Sequence, residues 1–324
     1  MKRIKLFIPI FIFIFLCIYS SPMAKEKKDA PEGLKAAQEY LNQGNEYIKK
    51  GLLDKALNSF EKAAAMDPEL APVVHFNLGI AYASKNRWLD ATMELKKASD
   101  LKPDDIMIHF NLANAYQSSG ALDNAIKEYQ KIIAINPKLY WSHFNLGTLH
   151  AQSGDIDQAI SEHEKAIEIN PRLAPIHFKL AQLYDKKGMI DQSIASYEKT
   201  ISLDPKHYLA HNNLGLMHLK KGEFDKGANE FRKCIELNPS YAQAYVNLGA
   251  VFMYQEDPKN AIPPFLKALE IKPEMTRAMI NLSVAYRDTK NFESALKYAR
   301  KAKDLGAKNT DLLIKTIQDK KDEE

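Results

Sequence analysis

The chain has 324 residues, with 45 Lys and Arg against 41 Asp and Glu, a formal charge of +4. Three of the basic residues, Lys2, Arg3 and Lys5, stand at the very N terminus; without them the balance is 42 to 41. So near-neutral a chain lacks the electrostatic footprint of a nucleic-acid binder or of a protein drawn to an anionic membrane.

Residues 1–24 read as a signal peptide or signal anchor. The basic start precedes an apolar run from Leu6 to Tyr19, broken only by Pro9. That run is short for a membrane span and suits a secretory apolar region. Cleavage is expected after Ala24, at a site made imperfect by Pro22 and by Lys25, Lys27 and Lys28. If it is kept, residues 6–19 are an anchor and the one contact with a membrane. Either outcome exports the remainder to the periplasm or another extracytoplasmic space. Leu16 is too bulky for Cys17 to be a lipid-attachment site. Beyond the leader only Cys234 remains, so no intrachain disulfide can form and stability must come from packing. In residues 25–36, Asp29 and Pro31 are expected to cap and open the first helix.

From there the chain is periodic. Pro68, Pro103, Pro137, Pro171, Pro205, Pro239 and Pro273 recur at steps of 34 residues, the first being 35. With the proline as position 32, eight units start at residues 37, 72, 106, 140, 174, 208, 242 and 276, ending at residue 307. Position 8 is small throughout: Gly44, Gly79, Ala113, Gly147, Ala181, Gly215, Gly249 and Ser283. Position 20 is small too: Ala56, Ala91, Ala125, Ala159, Ser193, Gly227, Ala261 and Ala295. Small residues at matched places let two helices approach closely. The spacing of positions 4, 7, 8 and 11, and that of 20, 24 and 27, follows the three-and-four step of amphipathic helices. Each unit therefore predicts two antiparallel helices, with a break at Gly or a polar residue near position 15. The proline ends the second helix by forcing its predecessor out of helical geometry. Past residue 307, Asn309 or Thr310 is expected to cap a last helix over 308–320. Leu312, Leu313, Ile314 and Ile317 would cover the final unit, and 321–324 would be a tail.

This pattern resembles the tetratricopeptide repeat over residues 37–307. The resemblance implies an all-α, right-handed superhelical solenoid whose inner groove binds other proteins. Departures are few: Gln43 replaces a position-7 leucine, and His150 and His218 replace a position-11 aromatic.

A second ladder stands at position 6: Asn42, Asn77, Asn111, Asn145, Asn213, Asn247 and Asn281, interrupted by Lys179. Asparagine is a mediocre helix former, so its recurrence needs a reason. Its carboxamide both donates and accepts, as the backbone of an extended peptide requires. The Asn-Leu-Gly run, preceded by His-Phe at residues 75 and 143, is similar to the repeats of O-linked N-acetylglucosamine transferases. In that family such asparagines hold substrate polypeptide, which implies the same role here, with Phe110, Phe144 and Phe178 supplying apolar contact. The alternative is that these asparagines bond neighbouring helices. Only Lys179 and Arg277 are basic on that face, three units apart, which argues against a clamp for a C-terminal carboxylate.

The position-4 histidines, His75, His109, His143, His177 and His211, cannot converge on one metal ion. Equivalent helices lie about 8–10 Å apart, whereas zinc ligands must reach within about 2.0–2.1 Å. They read as flat packing residues. No phosphate loop or nucleophile elbow occurs, and the transferase resemblance stops at the repeats. The expectation is a scaffold with no enzymatic activity, metal or cofactor, and with a protein or extended peptide as partner. The alternative is a structural or accessory subunit of an envelope, secretion or glycosyltransferase complex, joined through its convex face or ends.

Overall fold

The structure is a computed structural model that describes residues 32–323. The leader, its cleavage site, Asp29 and Pro31 lie outside the described residues. Contacts divide the described residues into two compact units, the first ending at Leu149 and the second beginning at His150.

In the first unit, α1 (Glu32–Lys49) pairs with α2 (Leu53–Met66), α3 (Ala71–Ser84) with α4 (Trp88–Leu101), and α5 (Ile106–Ser119) with α6 (Leu122–Ile135). A 3₁₀ turn, Pro68–Leu70, follows α2, and the division falls inside α7 (Tyr140–Ser153). The second unit continues with α8 (Ile156–Ile169), against which α9 (Ala174–Lys186) packs, and α9 pairs with α10 (Ile190–Leu203). Then come the pairs α11 (Tyr208–Lys220) with α12 (Phe224–Leu237), α13 (Ala242–Tyr254) with α14 (Pro258–Ile271), and α15 (Thr276–Asp288) with α16 (Phe292–Asp304). The last helix, α17 (Thr310–Asp322), packs on α16. There is no strand among the described residues, and none of their helices is long and apolar enough to cross a membrane.

Local chemistry sets these boundaries. Position 15 adopts left-handed backbone in every repeat. Glycine supplies it at Gly51, Gly120, Gly154, Gly188 and Gly222, while Asn86, Glu256 and Lys290 adopt the same φ, at 58–62°. At the far end of each hairpin the residue before proline turns extended, as at Asn136 (φ −144°, ψ 95°) and Asp204 (φ −136°, ψ 87°). Their side chains then accept from the backbone N–H two residues on, Asn136 from Lys138 at 3.1 Å and Asp204 from Lys206 at 3.2 Å. That Asx turn directs the chain into the next hairpin.

The seam within a hairpin is as close as the small residues predict. A Cβ added at Gly249 would lie 2.6 Å from the ring of Phe265, and one at Gly44 would lie 2.5 Å from Phe60. Where serine takes a seam position its hydroxyl donates to the facing backbone: Ser193 to the Ala181 carbonyl at 2.9 Å, Ser283 to that of Ala295 at 2.8 Å. Position 24 is the centre of each hairpin core. Phe60, Leu95, Tyr129, Tyr197, Phe231 and Phe265 are all but fully buried. Full burial of one such side chain is worth about 1.5–3 kcal/mol. The deviant Gln43 is accommodated by accepting from Ser59 Oγ at 3.1 Å.

Two expectations about the end need correction. The last helix runs to Asp322, past residue 320, and Leu312 does not help to cover the final repeat. Leu313, Ile314 and Ile317 pack on α16, but Leu312 is 71% exposed. Three consecutive apolar residues span about 200° of a helix, too wide for one contact face.

Candidate functional site

From Asn77 onward the ladder residues stand in the second turn of a first helix, each followed by a buried leucine; Asn42 stands further along the longer α1 and is exposed. Their side chains do not share one environment. In the first unit Asn77 is 4% exposed, and its Nδ2 donates to Asn45 Oδ1 in the preceding repeat at 2.8 Å. Asn145 hydrogen-bonds the hydroxyl of Tyr129, which donates in turn to Asn114 Oδ1 at 3.0 Å. Asn111 is half-buried and donates to the Met107 carbonyl of its own helix at 2.8 Å.

In the second unit the carboxamides form a chain. Gln243 donates to Asn247 Oδ1 (2.9 Å), Asn247 to Asn212 Oδ1 (2.9 Å), Asn212 to Asn213 Oδ1 (3.0 Å), and Asn213 to the Tyr197 hydroxyl (3.2 Å). Burial drives the phenol pKa of Tyr197, like that of Tyr129, well above its ordinary value. Both tyrosines therefore stay neutral. Asn281 is half-buried with no side-chain partner among the described residues. Lys179 is half-buried on α9 and makes no ion pair or hydrogen bond with them either.

The phenylalanines are half-buried wedges. Phe110 meets Tyr129 and Trp141 edge-on, with centroids 6.3 and 5.2 Å apart. Phe178 meets Tyr197 edge-on at 5.7 Å and lies over His207 at 4.6 Å. Phe144 is half-buried as well.

The position-4 histidines do more than pack. His109 Nδ1 lies 2.6 Å from Glu128 Oε2, and its Nε2 lies 2.7 Å from the Pro103 carbonyl. Both partners accept, so the ring donates from both nitrogens as an imidazolium. The Glu128 hydrogen bond accordingly raises the His109 pKa. Burial pushes Glu128 upward, but the bonds from His109 and Lys131 prevail and its pKa is lowered. His75 Nδ1 also lies 2.7 Å from Glu94 Oε2, and His211 Nδ1 lies 2.6 Å from Glu230 Oε2. His143 and His177 direct Nε2 to the carbonyls of Pro137 and Pro171 at 3.2 and 3.0 Å. Each ties a first helix to the proline that ends the preceding repeat. The sequence carries the signal as co-occurrence: Glu stands at position 23 in Glu94, Glu128, Glu162 and Glu230, and only in repeats with His at position 4.

Among the described residues no cluster of His, Cys, Asp and Glu could hold a metal ion. Cys234 is buried, and burial pushes its thiol pKa up to about 11, which suits packing and not reactivity.

Fold and site together define a repeat protein of stacked helical hairpins that presents one face of each first helix. Models described as "Tetratricopeptide repeat" match residues 41–106, 178–242 and 218–276, and further ones match 106–139, 128–161 and 276–307. A model described as "TPR repeat" matches 147–188. The chain belongs to the tetratricopeptide repeat family.

No curated protein matches the sequence. Among solved structures, the C-terminal part of a TPR repeat-containing protein from Cytophaga hutchinsonii is similar at TM-score 0.64 and 15% identity, over 75% of this chain and 99% of that one. A tetratricopeptide repeat protein from Parabacteroides merdae is similar at 0.53 and 20% identity, over 78% and 99%. YrrB, described as a TPR protein with an unusual peptide-binding site, is similar at 0.51 and 20% identity, over 57% and 95%. At these identities the likeness shows the solenoid fold.

Proposed function

We propose that the chain is an exported, non-enzymatic scaffold that holds an extended polypeptide along the first-helix faces of its repeats. The observation that carries this reading is hydrogen-bonding capacity left over at the ladder. Asn281 and Lys179 are half-buried with no partner among the described residues, and Asn111 uses only one amide proton, on its own helix. Asn145 and Asn213 hold buried tyrosine hydroxyls, which fixes their carboxamides in place. Asn77 and Asn247 support from behind. Phe110, Phe144 and Phe178 add apolar contact between these polar positions. The peptide-binding site described for YrrB lies on a related fold and supports the reading. Export rests on the composition of residues 1–24.

The choice of test variant follows from the geometry. Asn145→Ala or Asn213→Ala would remove a hydrogen bond to a buried tyrosine hydroxyl and weaken the fold. Asn111, Lys179 and Asn281 have no bond to another repeat. The tagged full chain, expressed with its leader, should capture a protein partner from envelope extract. The triple alanine variant at those three positions should lose that partner while keeping its helical circular dichroism. Equal capture by both would move binding off this face. It would favour an accessory or structural subunit joined elsewhere, for instance at Leu89 and Met93 on α4, 76% and 60% exposed.

A further inference from the structure

Lys179 is a cation standing where the other repeats carry a neutral carboxamide. It is half-buried and has no counter-ion among the described residues. Other lysines of the same unit differ in that respect. Lys165 pairs with Glu162 at 2.7 Å, Lys187 with Asp157, Lys220 with Asp185, and Lys221 with Asp191 at 2.8 Å. Those four carboxylates are thus committed to other cations. Lys179 also acts on His163, which is 1% exposed: burial first, and the Lys179 charge second, keep that imidazole neutral. A neutral ring cannot compensate an ammonium. A partly desolvated charge without a partner is costly, and an arriving anion would relieve that cost.

We infer that the bound polypeptide carries an acidic side chain, Asp or Glu, that pairs with Lys179; this rests on the peptide-binding reading above. The surroundings favour a side-chain carboxylate in an extended segment. On the same helix the preceding residue, Phe178, offers an apolar edge braced by Tyr197 and His207. One repeat further on, Asn213 presents a carboxamide fixed by Asn212 and Tyr197, suited to a peptide backbone. Equivalent helices stand about 8–10 Å apart, and an extended chain rises about 3.3 Å per residue. The acidic residue and the backbone group held by Asn213 are then about three residues apart. Arg277, the other base of the face, lies three repeats on, so a single ammonium meets a single carboxylate.

The test is selection of random 12-residue peptides displayed on phage, against the full chain. Wild type should enrich peptides with Asp or Glu at one recurrent position. Lys179→Gln should still enrich peptides but lose that acidic position, and Lys179→Glu should replace it by Lys or Arg. A selected peptide, labelled with fluorescein, should bind wild type about tenfold more weakly after its Glu→Gln exchange, with no such difference on Lys179→Gln. That difference should shrink in 1 M salt. Enrichment without an acidic position, or an acidic position that survives Lys179→Gln, overturns this inference and leaves the peptide-binding reading standing. No enrichment by wild type overturns both.

Discussion

Asn247 donates from Nδ2 to Asn212 Oδ1 at 2.9 Å, joining the first helices of two successive repeats through side chains that are each 3% exposed. Neither group has water to fall back on, so the bond fixes how α13 lies against α11. It also orders the carboxamide of Asn213, which takes the next place in the chain and stands at the proposed peptide face. Asn247→Ala and Asn212→Ala should each cost about 1–3 kcal/mol in urea unfolding, the penalty for an orphaned buried polar group. The double variant should cost less than the sum, because the second change removes the orphan. Asn281→Ala, with no bond to lose, should stay within about 0.5 kcal/mol of wild type.

The His109–Glu128 pair makes stability depend on pH from both sides. The His109 pKa is raised above 6.5, so its contribution is complete below that value and disappears as pH rises through the folded pKa. The Glu128 pKa is lowered below 4.5, so its contribution is complete above that value and disappears as pH falls through the folded pKa. The advantage of wild type over His109→Gln should therefore be greatest between pH 4.5 and 6.5 and decline on either side. Urea midpoints across pH 3–9, about one unit apart, check this. A constant difference would show that the ring is not an imidazolium.

His163 works in the opposite direction. Burial, with Lys179 behind it, lowers its pKa from 6.5 to about 4, so the folded state resists a proton that the unfolded chain accepts. Stability falls as pH drops from 6.5 towards 4, by about 3 kcal/mol at most. The His163 ring should titrate near pH 4 by NMR in the native protein. His163→Gln should lose less stability than wild type between pH 6.5 and 4.

Backbone geometry offers a matched pair of changes with opposite signs. Glu256 sits at φ 58°, where five other repeats have glycine. Glu256→Gly should stabilise the chain by about 1 kcal/mol, because the left-handed conformation costs an L-residue about that much. Gly249→Ala should destabilise it by about 1–3 kcal/mol, since the new Cβ would stand 2.6 Å from the Phe265 ring. Thermal unfolding by circular dichroism distinguishes the two shifts.

The relation between sequence and structure is clearest at residues that play several parts. Gly249, Pro239 and Gly222 are legible from the sequence because each acts within one 34-residue hairpin, through sterics that any such chain obeys. The 34-residue period, the helix pairs, the small-residue seam, the left-handed break and the proline stops all follow from i, i+3 and i+4 neighbours and from φ restrictions. The asparagine ladder is legible as a pattern, and so is the interruption at Lys179.

What each ladder side chain bonds was decided only by tertiary structure. Asn247 and Asn281 occupy the same repeat position, yet one is buried in a carboxamide chain and the other has no side-chain bond among the described residues. The difference lies in what the adjoining repeat presents, as with Asn212 in front of Asn247, at a sequence distance of 35. His109 likewise became an imidazolium because folding sets it between Glu128, 19 residues later, and the carbonyl of Pro103, six residues earlier. Periodicity specifies which face a side chain occupies. Whether its hydrogen bonds are spent depends on atoms that only the packing of one repeat on the next brings within 3 Å.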